Sequence, residues 1–159
     1  PEIMQRLNSY HRPYHDTLSE ELDRLKSAHG RVVLYDAHSI RSHVPRLFDG
    51  ELPQFNIGTN GGATSAPELE TIVANICAAS GKSHVVNGRF KGGWTTRHYG
   101  RPDDGIHAIQ MELAQRGYMS EPGTITHANW PSPLDPNPAI RPVLEQVIAA
   151  TLDFAKGKA

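Results

Sequence analysis

Apolar positions recur along this chain at two different periods, and the alternation between them predicts an α/β domain. From Pro13 to about Ala28, Tyr14, Leu18, Leu22 and Leu25 fall at helical spacing, with Pro13 suited to a first turn and Gly30 to a stop. Arg31 to Tyr35 reads as the first strand. The stretch from His38 to Ala66 shows little periodicity and is punctuated by Pro45, Gly50, Pro53, Gly58, Gly61 and Gly62. A loop of that length inside a compact domain is usually functional. Pro67 to Ala79 is a second amphipathic helix, with Ser65 or Ala66 near its N-cap and Glu68 and Glu70 in its first turn, both features of a helix start. Ser83 to Arg89 reads as a strand followed by the turn Phe90-Lys91-Gly92-Gly93, and Ile106 to Leu113 as the next strand. Pro138 to about Lys156 is a third helix with Ile140, Val143, Leu144, Val147, Ile148 and Leu152 as its stripe. Strands alternating with helices predict a layered α/β domain over residues 1–159, with active loops at strand ends.

Two of the strands end on chemically competent side chains. Val32-Val33-Leu34-Tyr35 leads to Asp36 and His38, two apart and so on one face of a strand. A carboxylate beside an imidazole holds it in one tautomer, as a metal ligand or a catalytic base requires. A core histidine bonded to Asp36 has the same local pattern, so both readings stand. Glu112 lies among Ile109, Met111 and Leu113, where a carboxylate is costly unless paired, liganded or protonated. It fits a desolvated general base or a carboxylate paired with Arg97 or Arg116.

A third group runs from Asn87 to Gly100. Paired glycines let backbone N–H groups approach an anion, and Arg97 offers a planar fork matched to a carboxylate. A surface hairpin with a nearby arginine has the same signature. A phosphate-binding P-loop is excluded by the placement of Lys and Ser/Thr.

Composition narrows the classes. The chain has 159 residues, a formal charge of −1, 14 glycines, 12 prolines and one cysteine. No basic stripe supports nucleic-acid binding. Cys77 alone allows neither an internal disulfide nor a thiolate cluster, and its apolar surroundings suit a small buried residue. No run approaches the roughly 18 apolar residues of a membrane span, and no leader pattern is read at the start, so a soluble cytoplasmic protein is expected. The chain opens at Pro1 rather than Met, which suggests part of a longer polypeptide. Among the nine histidines, His11 and His15 have the i, i+4 spacing of a helical metal pair, but Pro13 disfavours helix at Arg12. His11 is read as a cap or surface residue and His15 as packed beside Tyr14. His29, His43 and His107 are expected to face solvent.

Tyr10-His11-Arg12-Pro13-Tyr14-His15, Asp36-Ala37-His38-Ser39, Asn87 through Gly93, Thr96-Arg97-His98-Tyr99-Gly100, and Gln110-Met111-Glu112-Leu113 to Tyr118-Met119 occur in that order. Together they resemble the N-formylglutamate amidohydrolases (N-formylglutamate deformylases) of histidine degradation, over about Tyr10 to Met119. The resemblance implies a zinc carboxypeptidase-like (phosphorylase/hydrolase-like) α/β fold: a mixed β-sheet flanked by helices, with metal ligands at strand ends. It also implies His38 as a ligand of one divalent zinc and Glu112 as the base that activates zinc-bound water. Asn87 and Arg97 would hold a substrate carboxylate, assisted by Thr96 and the Gly92-Gly93 backbone, with Arg41 and Arg89 as reserves. The implied reaction releases formate and L-glutamate from N-formyl-L-glutamate. Family members carry a further N-terminal part with a Pro-His-Ser-Gly segment and downstream carboxylates, which should supply the other zinc ligands. This chain has no such segment and reads as the C-terminal portion of a longer amidohydrolase domain. The missing segment is therefore an expected partner beside a small carboxylate-bearing substrate, with neither nucleic acid nor membrane. Two alternatives remain: a related zinc amidase acting on another acylamino acid or peptide, and a catalytically dead binding module.

Overall fold

A computed structural model describes residues 1–124, 126–133 and 139–158. Among these residues four strands form one mixed sheet: β1 (Val32–Ile40), β2 (Phe55–Gly58), β3 (His84–Val86) and β4 (Ile106–Ala114), in the order β1-β4-β2-β3. β1 pairs with β4 in parallel, β2 with β4 antiparallel, and β2 with β3 in parallel. Among the described residues the α-helices are α1 (Glu2–Arg6), α2 (Arg12–His29), α3 (Pro67–Ala79), α4 (Trp94–Tyr99) and α5 (Arg141–Ala155). The α/β architecture, with a mixed sheet flanked by helices, is the one expected.

Side-chain parity along the strands divides the core. Ile57, Ile109 and Met111 are buried against Leu69, Val73 and Cys77 of α3 and Val143 and Val147 of α5. Burial pushes the Cys77 thiol up to about 11, in keeping with an inert apolar role. On the opposite face Val32 and Ile106 pack with Leu22 of α2 and Tyr99 of α4. Since neighbouring strand residues face opposite ways, the even-numbered residues Asp36, His38, Gln110 and Glu112 leave the sheet on the α2/α4 face.

Several boundaries differ from the sequence reading. The first strand runs on past the expected end at Tyr35 to Ile40, carrying Asp36 and His38 on one face. The expected His38–Ala66 loop contains β2, a central strand buried throughout. The expected Ser83–Arg89 strand stops at Val86, because Asn87 takes φ 52 and turns the chain out of the sheet. The glycine-rich segment continues into α4 after Gly93. Of the helix expected from Pro138, Arg141–Ala155 is helical, and Pro138 lies outside the described residues.

Pro13 does not break the first helix. Arg12 is helical at φ −61, ψ −53, and Leu7–His11 forms a single π-helical stretch between α1 and α2. A proline ring clashes with the carbonyl four residues before it, here Ser9, and the wide turn displaces that carbonyl. Gly30 closes α2 at φ 75, donating its N–H to Lys26 O at 2.7 Å.

Candidate active site

The site is built at the C-terminal ends of β1 and β4. The parallel register pairs Asp36 with Gln110 and His38 with Glu112, so four polar side chains stand in a block on the α4 face. Asp36 Oδ1 lies 2.9 Å from His38 Nε2, and Thr96 Oγ1 donates to Asp36 Oδ2 at 3.3 Å. His38 is half exposed and Asp36 mostly covered. The expected carboxylate–imidazole pair is therefore formed.

Glu112 is 6% exposed. Burial raises its pKa above the ordinary carboxylate range, opposed by nearby His38 and by a hydrogen bond from Gln110, while Asp36 pushes it further up. Neither suggested arginine pairs with it. Arg116 bonds to Ser42 Oγ and Leu52 O at 2.8 and 2.7 Å, and Arg97 Nη1 donates to Gly92 O at 2.6 Å.

A cavity of about 490 Å³ opens above Glu112, lined by His38, Gln110, Glu112, Arg97 and the segment Arg89–Gly93. Its rim thus carries Arg89, Lys91 and Arg97. The segment is pressed onto the sheet at Gly58: a Cβ there would meet Gly92 N at 2.5 Å. Only glycine at the end of β2 allows the turn to lie so close. Arg89 Nε is anchored on Leu47 O at 2.7 Å, which brings the 38–66 connection to the rim of the site. Arg41 is occupied elsewhere, donating to Pro122 O at 2.6 Å.

Asn87 and Thr96 do not line this cavity. Asn87 Oδ1 accepts from the N–H groups of Thr59 and Gly61 at 2.9 and 3.0 Å. Its Nδ2 donates to Thr59 Oγ1 and Glu70 Oε2 at 2.9 and 3.0 Å. Thr96 is fully buried against Gly92 and Asp36. Both brace the elements that carry the cavity wall. Sequence reasoning passed over Lys91 and Gln110 as site residues. For Gln110 the signal was available, since it lies two residues before Glu112 and so on the same strand face.

His107, expected to face solvent, is 5% exposed. It packs edge-on against Phe154 at 5.0 Å, and its Nδ1 accepts from Ala66 N–H at 3.1 Å. His15 does pack beside Tyr14, at 4.9 Å between rings, and its Nδ1 lies 2.6 Å from Tyr99 Oη.

A zinc ion held by three protein side chains does not fit this chain taken alone. Among the described residues no three His, Cys, Asp or Glu side chains gather as a metal site, and His38 offers a single imidazole. No helix among the described residues is long and apolar enough to cross a membrane.

A buried carboxylate beside an imidazole, under a rim of cations at strand ends, is suited to hydrolytic chemistry on an anionic substrate. The chain belongs to the N-formylglutamate amidohydrolases, whose family pattern it matches over residues 1–119. It is 48% identical over 156 residues to an N-formylglutamate deformylase of Pseudomonas aeruginosa, covering 98% of this chain and 57% of that protein. An N-formylglutamate deformylase of Pseudomonas putida is 58% identical over 117 residues, 73% of this chain and 44% of that protein. The crystal structure of N-formylglutamate amidohydrolase from Ralstonia eutropha JMP134 shares the fold, with a TM-score of 0.74 at 23% identity over 98% of this chain and 54% of that one. The chain spans about half the length of the relatives it matches.

Proposed function

We propose that this chain supplies the proton-transfer carboxylate and the carboxylate-binding rim of an enzyme that hydrolyses N-formyl-L-glutamate to formate and L-glutamate, the reaction implicated in histidine degradation. The observation that carries the proposal is Glu112, buried and raised in pKa, under a cavity whose rim bears Arg89, Lys91 and Arg97. The names of the two Pseudomonas relatives support the choice of substrate.

Glu112 accepts a proton from water as its oxygen adds to the formyl carbon. It then returns that proton to the glutamate nitrogen as the C–N bond breaks. A carboxyl group with a raised pKa suits both halves of the transfer. Substrate carboxylates sit against the cationic rim, where Arg97 offers a fork that a lysine could not reproduce. Gly92 and Gly93 allow the backbone to come close. Asp36 orients His38. Zinc belongs to the proposal with His38 as one ligand and with the remaining ligands from the N-terminal part that longer family members carry. When bound, it would lower the pKa of water and polarise the formyl oxygen.

The test is formate release from N-formyl-L-glutamate by the full gene product, with and without a chelator. Turnover that the chelator abolishes is expected. No turnover by the metal-replete protein would overturn the reading and favour a binding module or a different acylamino substrate.

A further inference from the structure

Gln110 is 4% exposed on β4, and the two ends of its amide have different partners. Oε1 accepts from Gly93 N–H at 2.6 Å, and Nε2 donates to Glu112 Oε2 at 3.1 Å. These partners settle which way the amide faces, because the reversed group would set its NH2 against the N–H of Gly93. A buried glutamine on a strand is costly unless both ends are bonded, and here both are bonded to the site. Gly93 is the N-cap of α4 and lines the cavity with Glu112. A Cβ on Gly93 would stand 3.4 Å from Gln110 Oε1. Among the described residues, Gln110 makes the side-chain hydrogen bond that the Glu112 carboxylate receives.

We infer that Gln110 is a positioning residue. It ties the Glu112 carboxylate to the Gly92-Gly93 turn, so that the base and the turn facing the substrate keep one relative geometry. The inference rests on the reading of Glu112 as the base. Without the tie, the carboxylate rotates about its own side-chain bonds, and a misplacement of about 1 Å costs on the order of 10²-fold in rate.

Gln110→Met keeps the length of the side chain and removes both bonds. In the full gene product acting on N-formyl-L-glutamate, kcat is expected to fall about 10²-fold. The same substitution in a Glu112→Gln background is expected to change kcat by no more than about threefold, because a residue acting through Glu112 has nothing left to position. An equal loss in both backgrounds would show a merely structural role and overturn the inference. Hydrogen exchange at the Gly93 amide is expected to quicken about tenfold in Gln110→Met, and unchanged exchange would remove the tie. If Gln110→Met does not fold, Gln110→Asn keeps an uncharged amide but is one methylene too short to bond Gly93 N–H and Glu112 together. A fall in kcat that disappears in the Glu112→Gln background then supports the inference, and an unchanged kcat or an equal fall in both backgrounds overturns it. Absence of turnover in the unmutated protein would defeat the functional reading alone, leaving Gly93 exchange to decide whether the tie exists.

Discussion

His38 and Glu112 are lateral neighbours: the parallel register of β1 and β4 pairs their Cα atoms, so imidazole and carboxylate leave the same sheet face side by side. The position does two things to Glu112. The strand interior strips it of water and raises its pKa, while the neighbouring imidazole holds part of that rise back. A carboxylate kept in that balance can take up a proton and release it again.

Glu112→Gln preserves the shape and removes the proton acceptor. Formate release is expected to fall about 10²–10⁴-fold, with a thermal midpoint close to that of the unmutated protein. A variant that turned over at the unmutated rate would take the base role from Glu112.

Asn87 is bound up in four hydrogen bonds within the protein and sits at positive φ. Asn87→Ala is therefore expected to cost about 2–4 kcal/mol of stability, through unsatisfied partners and an unfavourable backbone angle. Chemical denaturation measures this directly. A variant of full stability with a raised KM would instead show that the side chain serves the substrate.

Gly58→Ala sets a methyl group 2.5 Å from Gly92 N and 2.7 Å from Lys91 C, both backbone atoms that must move. The expected result is a loss of about 1–3 kcal/mol from overpacking. A raised KM should accompany it, because the displaced turn carries the cationic rim. An unchanged KM would detach the turn from substrate binding.

His107 is held neutral in the fold. Burial lowers its pKa, Arg31 lowers it further, and Glu68 acts weakly the other way. As pH falls below the unfolded value near 6.5, the unfolded chain gains a proton that the folded chain refuses, so stability drops toward the lowered folded pKa. His107→Asn leaves an acceptor for Ala66 N–H and removes the ionisation. Urea unfolding between about pH 7.5 and 5 should give a flatter profile for this variant. Parallel profiles for the two proteins would show that His107 does not titrate on unfolding.

Much of the layered fold was legible in local spacing. α3 was read at both ends, α2 and α5 in most of their length, and β1 and β4 from their apolar runs. The Asp36–His38 pair followed from strand alternation alone, because a spacing of two determines a shared face wherever the strand lies. The desolvation of Glu112 followed from its apolar neighbours. Short elements did not show themselves. β2 has four residues, one of them Asn56, which is buried with Nδ2 bonded to Pro53 O and Glu112 O, and α4 has six. Neither is long enough to establish a period.

The sequence by itself determined which residues are competent for chemistry, and the order and face of those that share a strand. Those properties depend on side-chain type and on the repeat of the backbone. Only the tertiary structure decided what stands beside what. It set Glu112 next to His38 through strand register and turned Asn87 inward to brace a loop. It also buried His107 under Phe154, and carried the helix past Pro13 by widening one turn. Each of these depends on contacts between residues far apart in the chain, or on how one turn adjusts to its neighbours, and periodicity carries no record of either.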